Sequence, residues 1–542
     1  MLLTVDPGWE PDDAAAMGSV EKMGAETARW WESPGFALAL VLLSAVPLLI
    51  PDIAPLVDLP GHMGRYRVQL DLAESEALQR FYRFEWRLIG NLGIDLLVIP
   101  LEPLLGLEPA VKLIVLSIPP LTAAGLLLIA RVVHGTLPPT AALALPFAYS
   151  FPFQFGFVNF CLAVALALLA FALWRWLAMK DRFKLRAAIF LPLSVLLWVF
   201  HTFGWGVLGV LAYAAEMVRR RDHGQSWVRA WLKAAYDCLP LVPPMLLMVA
   251  WRSGQVGGQT GDWFNWRHKF RWFYMMLRDR WEVFDIISVL LLSLVILFAA
   301  FHRRIGFSRM LAVFAVFLTL VFLFLPRIVF GSAYADMRLL PYAFAMALLA
   351  IRFKPSFRTA TLRGIAIASL CFFLVRTAAT TVSFWRYDRV YDGELQALRH
   401  VPVGARLVSF TGIGCRQPWA MSRLEHLPAM AVVRREAFSN DQWTMVGAQL
   451  LTVRYREGGR FVRDPSQMVT ERQCRGEVWL SLDNTLKRLP REAFDYIWLI
   501  RPPRHDPRLL KGLEPIWRNG SSVLYRIVHG SAAGAGARGM KR

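Results

Sequence analysis

From residue 35 to residue 382 the chain repeats one unit, an apolar run followed by a short polar link. Runs of about 15–25 apolar residues match the ~30 Å of hydrocarbon that a transmembrane helix must cross. They fall at 35–51, 109–131, 139–153, 155–174, 187–201, 203–218, 236–251, 284–301, 309–326, 339–353 and 362–384, several of them short. Composition agrees: 56% of residues are hydrophobic and only 19% charged, a balance uncommon in soluble domains. After residue 386 the sequence turns ordinary. The expectation is a polytopic α-helical membrane protein of about 11 transmembrane helices with a C-terminal extracytoplasmic α/β domain.

Lys and Arg set the orientation, because short basic loops stay in the cytoplasm. Arg131 follows the second run, and Arg175, Lys180, Arg182, Lys184 and Arg186 the fourth. Arg219, Arg220 and Arg221 follow the sixth, Arg303, Arg304 and Arg309 the eighth, and Arg352, Lys354, Arg358 and Arg363 the tenth. The intervening links "YSFPFQF" and "HTFGWG" have neither Lys nor Arg. Residues 1–34 then read as a short cytoplasmic tail with no secretory signal, and 35–386 as the membrane domain. Residues 387–530 form the outer domain, and 531–542 a disordered Gly- and Ala-rich tail. Localisation to a bacterial inner membrane with a periplasmic C-terminal domain follows. The net charge of +21 is explained by topology, so nucleic acid is not an expected partner. Residues 88–106 are apolar but carry Asp95, Glu102, Pro100 and Pro103. As a span they would bury two acids and invert every later loop, so they read as interfacial or re-entrant.

Two outer loops are basic against the rule. The loop 52–108 holds Arg65, Arg67, Arg80, Arg83 and Arg87, and the loop 252–284 holds Arg267, Lys269, Arg271, Arg278 and Arg280. In "DWFNWRHKFRWFYMMLRDRW" these cations alternate with aromatics, which suits a helix in the headgroup layer with its aromatics inward. The cations either attract lipid headgroups or clamp the phosphates of a lipid-linked substrate.

The first of these loops opens with "PDIAPLVDLPGHMGRYRVQLD". A helix beginning near Asp58 puts Asp58, His62, Arg65 and Gln69 on one face. A carboxylate can take the proton of an attacking hydroxyl while Arg stabilises a leaving phosphate. The alternative is that Asp58 caps a helix whose first turn holds Pro60, with His62 merely packing. Asp52 lies within a turn of the membrane exit. In "YADMRLLPY", Asp336 and Arg338 either bridge each other or leave Arg338 to bind phosphate. His201 in "FHTFGWG" and Asn159 in "GFVNF" are lone polar groups at the ends of runs, either packing groups or supports for a site. No GxSxG, Walker loop, HExxH or paired CxxC is present, so no metal ligand set is assigned.

This layout resembles the glycosyltransferase C superfamily of polyprenyl-phosphate-sugar-dependent membrane enzymes. The segments "PLVDLPGHMGRY", "NLGIDLLV", "FGFVNF" and "ADMRLLPY" look like parts of bacterial proteins of that type. The resemblance implies an inverting glycosyltransferase of the cell envelope. It would move a sugar from a polyprenyl-phosphate donor to an extracytoplasmic lipid, glycan or protein. Asp58 matches the first-loop acid that serves as base or orients the acceptor, with His62 beside it. Arg65, Arg271 or Arg338 would hold phosphate, and Asp52, Asp336, His201 and Asn159 would support the site. The resemblance leaves room for a divalent metal, although "YSFPFQFGFVNF" at 149–160 lacks the acid many members carry after the third span. The rival expectation is a transporter or flippase for lipid-linked saccharides, or a non-catalytic partner in their assembly.

In the outer domain, "DGELQALRHV" reads as a helix, and "ARLVSF", "LLTVRY", "DYIWLI" and "SVLYRIV" as strands. No cluster of acids and His marks a second active site, so a lid or substrate-binding role is expected. Cys161, Cys238 and Cys371 fall in or beside apolar runs as packing residues. Cys415 and Cys474 lie outside, where an oxidising compartment would let them pair.

Overall fold

The computed structural model describes residues 29–255, 260–329, 332–416, 418–445 and 449–529. Most of the expected cytoplasmic tail and the tail at 531–542 lie outside the described residues. Among the described residues, five helices are long and apolar enough to cross a bilayer: Leu107–His134, Val158–Met179, Phe183–Phe200, Glu282–Phe301 and the helix starting at Thr359. A sixth crossing would join Trp227–Asp237 to Leu239–Val249, bent by 48° where Pro240 interrupts the helical ladder. Pro34–Leu43 and Arg309–Phe324 are apolar but shorter, and Thr202–Asp222 ends in three arginines.

The run at 139–153 is not one α-helix. It forms a 3₁₀ helix, Ala141–Tyr149, and a short α-helix, Phe151–Phe155. Pro146 and Pro152 remove donors the α ladder needs, and every residue of Ala141–Tyr149 is buried. Its apolarity is that of a protein core. Residues 93–105 form the helix Gly93–Leu105, about 20 Å long and too short to cross. Its Asp95 is accommodated by a buried ion pair with Arg65 at 3.0 Å.

The helix Thr359–Leu395 has 37 residues, or about 55 Å against ~30 Å of hydrocarbon, so its C-terminal half projects beyond the bilayer. It runs unbroken through residue 386. Its buried face, Phe373, Arg376, Thr380, Phe384, Tyr387 and Tyr391, recurs every three or four residues. A six-stranded sheet follows. Its order from one edge is Leu480–Ser481, Met468–Thr470, Leu407–Gly412, Tyr496–Ile500, Ser522–Ile527, Leu513–Asn519. The first four strands are parallel and the last two antiparallel. Val408, Phe410, Val469, Ile497, Leu499 and Val523 form its core.

Three of the four expected strands lie in this sheet. The fourth, "LLTVRY", instead yields Leu451–Val453, which pairs antiparallel with Tyr82–Phe84 of the first outer loop. The C-terminal domain is therefore stitched to the loop 52–108 of the membrane part by backbone hydrogen bonds. Cys415 and Cys474 form a disulfide with a Cα–Cα distance of 5.4 Å. Thiol labelling of the unfolded, unreduced protein should accordingly modify only Cys161, Cys238 and Cys371. Labelling of all five before reduction would contradict the bridge.

Candidate active site

Asp58 is placed by backbone contacts. Val57 N donates to Gln154 O at 3.3 Å, and Asp58 N to Phe155 O at 2.9 Å. Gly156 closes the 151–156 turn at φ +103°, where a Cβ would lie 2.8 Å from Asp58 N. Only glycine fits there, for its backbone angle and for the close approach. Asp58 stands at the N-cap of the helix Leu59–Asp71, but its carboxylate makes no capping bond.

The carboxylate instead faces the C-terminal domain. His426 Nε2 lies 4.0 Å from Asp58 Oδ1 and 4.0 Å from Asp464 Oδ1. Burial, then the nearby Glu425 and Asp464, push the Asp58 carboxyl well above its ordinary range, with Arg338 opposing. Glu425 is itself pushed up to about 7, chiefly by burial. Asp58, Glu425 and Asp464 thus share one neighbourhood, and burial there disfavours the charged forms of the first two. Trp443 covers His426 and His62, with ring centroids 4.9 Å and 5.2 Å away. Gly61 admits that indole, since a Cβ there would come within 2.4 Å of it. Burial, with Arg65 and His426 adding to it, holds His62 well below the usual histidine range. It is a neutral ring beside Asp58.

Arg338 is 6% exposed and lies over Phe157 at 4.2 Å, with Phe160 and Phe203 each at 5.7 Å. Its Nη2 donates to Ser332 Oγ at 3.3 Å and to Ala333 O at 3.4 Å. No carboxylate of the described residues comes within ion-pairing distance. Asp336, two positions earlier, pairs with Lys269 at 3.2 Å, so the bridge between Asp336 and Arg338 does not form. Arg338 Nη1 meets His201 Nε2 at 3.4 Å. His201 Nδ1 already accepts from Phe203 N at 3.1 Å, which puts the neutral ring's proton on Nε2. Two donors therefore face each other, and among the described residues Arg338 Nε has no acceptor. A buried guanidinium with unanswered donors is a seat for an anion.

Comparison with protein-family models, with curated proteins and with solved structures found no match to this chain.

The other expected site residues scatter. Arg65 Nη2 donates to Asp95 Oδ2 at 3.0 Å, and Gln69 Nε2 to Asp95 O at 2.7 Å. The second and third turns of the helix thus face Gly93–Leu105, away from Asp58. Asn159 binds Ile94 N, Asn91 and Asp95, which makes it an anchor for the same short helix. Asp52 is exposed, and its backbone N–H donates to Asp388 Oδ1 at 3.0 Å. Arg271 is exposed. On its helix, Trp266–Tyr274, the orientation is also unlike the expected one. Lys269 points inward, whereas Trp266 and Phe270 are exposed.

Sequence reasoning missed Glu425, His426 and Asp464. The first two had a local signal, because "EHLPAM" opens the turn Leu427–Ala429 much as "DLPGHM" opens the helix after Asp58. Asp464, in "RDPSQM", had none. Among the described residues, no group of three or more His, Cys, Asp or Glu could hold a metal ion. Asp58 and Asp464 each meet His426 separately, an arrangement for moving protons.

Proposed function

We propose that the protein is a membrane glycosyltransferase that moves a sugar from a polyprenyl-phosphate donor to a lipid, glycan or protein acceptor at the outer membrane surface. One observation carries this reading. An acid whose carboxylate makes no capping bond, Asp58, is hydrogen-bonded through its N–H to Phe155 O, two residues from the Phe157 ring over which Arg338 lies at 4.2 Å, a buried cation with no ion-pair partner among the described residues. In the transfer step the acceptor oxygen attacks the anomeric carbon and its proton passes to the Asp58 carboxylate. The bond from that carbon to the phosphate oxygen breaks, and its electron pair leaves with the phosphate. Arg338 and the His201 Nε2–H stabilise the charge that develops there. Attack opposite the leaving group inverts the anomeric carbon.

The surroundings suit a lipid-linked substrate. Phe151, Phe155, Phe157, Trp272 and Tyr334 form a run of ring contacts, with apolar faces for a polyprenyl chain or a sugar ring. The disulfide and the basic even-numbered links both support an outer domain on the oxidising side. The transporter reading would be favoured by uncompensated charges at the midplane. The buried Arg186–Glu216 pair, at 2.5 Å with Trp174 also donating to Glu216, is instead closed on itself.

The test is mass spectrometry of lipid-linked sugars and envelope glycans in cells lacking the gene, complemented with wild type or Asp58→Asn at matched expression. Wild type should restore a sugar that Asp58→Asn does not, while the lipid-linked donor accumulates. Equal restoration by both would sink the proposal and advance the transport or assembly reading.

A further inference from the structure

We propose that His426 and Asp464 conduct the proton taken up by Asp58 out to solvent, so that the outer domain completes the site's proton pathway. This rests on the transfer reading above. Its first support is a tautomer. His426 Nδ1 lies 3.2 Å from the backbone carbonyl of Asp441, and a carbonyl oxygen only accepts, so Nδ1 carries the hydrogen. The Nε2 lone pair is thereby left facing the two carboxylates, at 4.0 Å from Asp58 Oδ1 and 4.0 Å from Asp464 Oδ1. A histidine that served only to pack beneath Trp443 would not need that position.

The second support is the way out. Asp464 has the most exposed side chain of the three, 30% against 9% for His426 and 16% for Asp58. It also lines a surface pocket of about 280 Å³ with Arg460, Arg463, Ser466 and Trp479. Its N–H donates to Gln442 O at 3.0 Å and its Oδ1 accepts from Gln467 Nε2 at 2.8 Å.

The chemistry is proton transfer alone. Asp58 gives its proton to Nε2, forming an imidazolium. The same N–H then passes the proton to the Asp464 carboxylate, which releases it to water. A small side-chain rotation, or one bridging water, closes each 4.0 Å gap. The charged groups around His426 are Glu425 on its own segment, Asp58 and His62 on the first-loop helix, and Asp464 and Asp441 on the outer domain. Arg338 acts on Asp58, and Arg278 on Glu425. Burial keeps His426 below its usual range while Asp464 pulls it up, as suits a carrier charged only in passing. Without an outlet, Asp58 in its buried setting would keep the proton after each turnover.

The experiment needs no substrate. Full-length protein in lipid nanodiscs is mixed rapidly into D₂O, and infrared spectroscopy follows the protonated carboxyl band of Asp58, identified by its loss in Asp58→Asn. His426→Gln and Asp464→Asn should each slow the exchange of that band at least about tenfold, and Asp464→Glu should restore it. Exchange at the wild-type rate in Asp464→Asn would overturn the pathway, as would the absence of any protonated Asp58 band at a pH above the ordinary carboxylate range. Should His426→Gln fail to fold, Asp464→Asn decides alone, because its partly exposed position tolerates an isosteric change. The two proposals fail separately. If the exchange is unaltered while Asp58→Asn still abolishes transfer in cells, only the pathway falls. If Asp58→Asn cells make the full glycan, the transfer reading falls.

Discussion

Arg338→Met should cut sugar transfer at least about a hundredfold while leaving the melting temperature unchanged or raised. Arg65→Met should instead destabilise the protein by about 3–5 kcal/mol. The two arginines are both buried, and what separates them is whether the fold answers their charge. Arg65 has Asp95 at 3.0 Å, and its removal strands a carboxylate in the interior. Arg338 has no such partner. It donates to Ser332, Ala333 and a histidine ring that itself presents a donor. Its burial therefore costs folding energy that the protein does not recover from a counter-charge. Methionine can occupy the same cage of Phe157, Phe160 and Phe203 without that cost. Thermal unfolding in detergent, beside donor accumulation in complemented cells, checks both halves. If Arg338→Met destabilises as much as Arg65→Met, Arg338 is a structural residue and its role as an anion seat is lost.

That contrast also marks where sequence reasoning reaches its limit. Five of the eleven expected crossings, or six with the bent pair, were legible, because run length and apolarity are local properties that map directly onto bilayer thickness. The run at 139–153 misled because apolarity alone does not separate a lipid-facing helix from a segment buried on every side; its prolines were the better guide. The place of Asp58 at a helix start was legible because an acid ahead of Leu-Pro is a local pattern. Arg65 shared its helix face in projection, yet its partner sits thirty positions away, and nothing local announces Asp95 as that partner. Lys269 looked like a headgroup cation because its neighbours are aromatic. The deciding fact was Asp336, 67 positions further on. The site's second half, Glu425, His426 and Asp464, depends on the outer domain folding back over the first loop. That approach is set by the Tyr82–Phe84 pairing and by the length of the Thr359–Leu395 helix, neither of which leaves a motif at the residues it brings together.

Arg423→Ala should loosen the outer domain from the membrane part, with a loss of about 3–5 kcal/mol. Arg423 is 1% exposed. Its guanidinium donates to Asp279 Oδ1, to Pro55 O and, at 2.8 Å, to Gln154 Oε1. It also stacks over Phe384 and Tyr387 at 4.9 Å and 4.6 Å. Those partners come from the first loop, the 151–156 turn, the 252–284 loop and the long helix, so one side chain joins four segments. Asp279, which also accepts from Ser383 Oγ at 2.8 Å, would be left buried without its cation. Arg423→Lys should recover only part of the loss, because an ammonium cannot span acceptors set around a planar fork. Limited proteolysis between the long helix and the sheet, with thermal unfolding, reads the effect, and a wild-type melting temperature in Arg423→Ala would refute the account. The pair Arg423→Met with Asp279→Leu should regain much of the stability, since no buried charge is then stranded. Sugar transfer should not return with it. Pro55 and Gln154 flank the backbone bonds that hold Asp58, so a variant that folds but does not transfer would separate what this network does for stability from what it does in presenting the base.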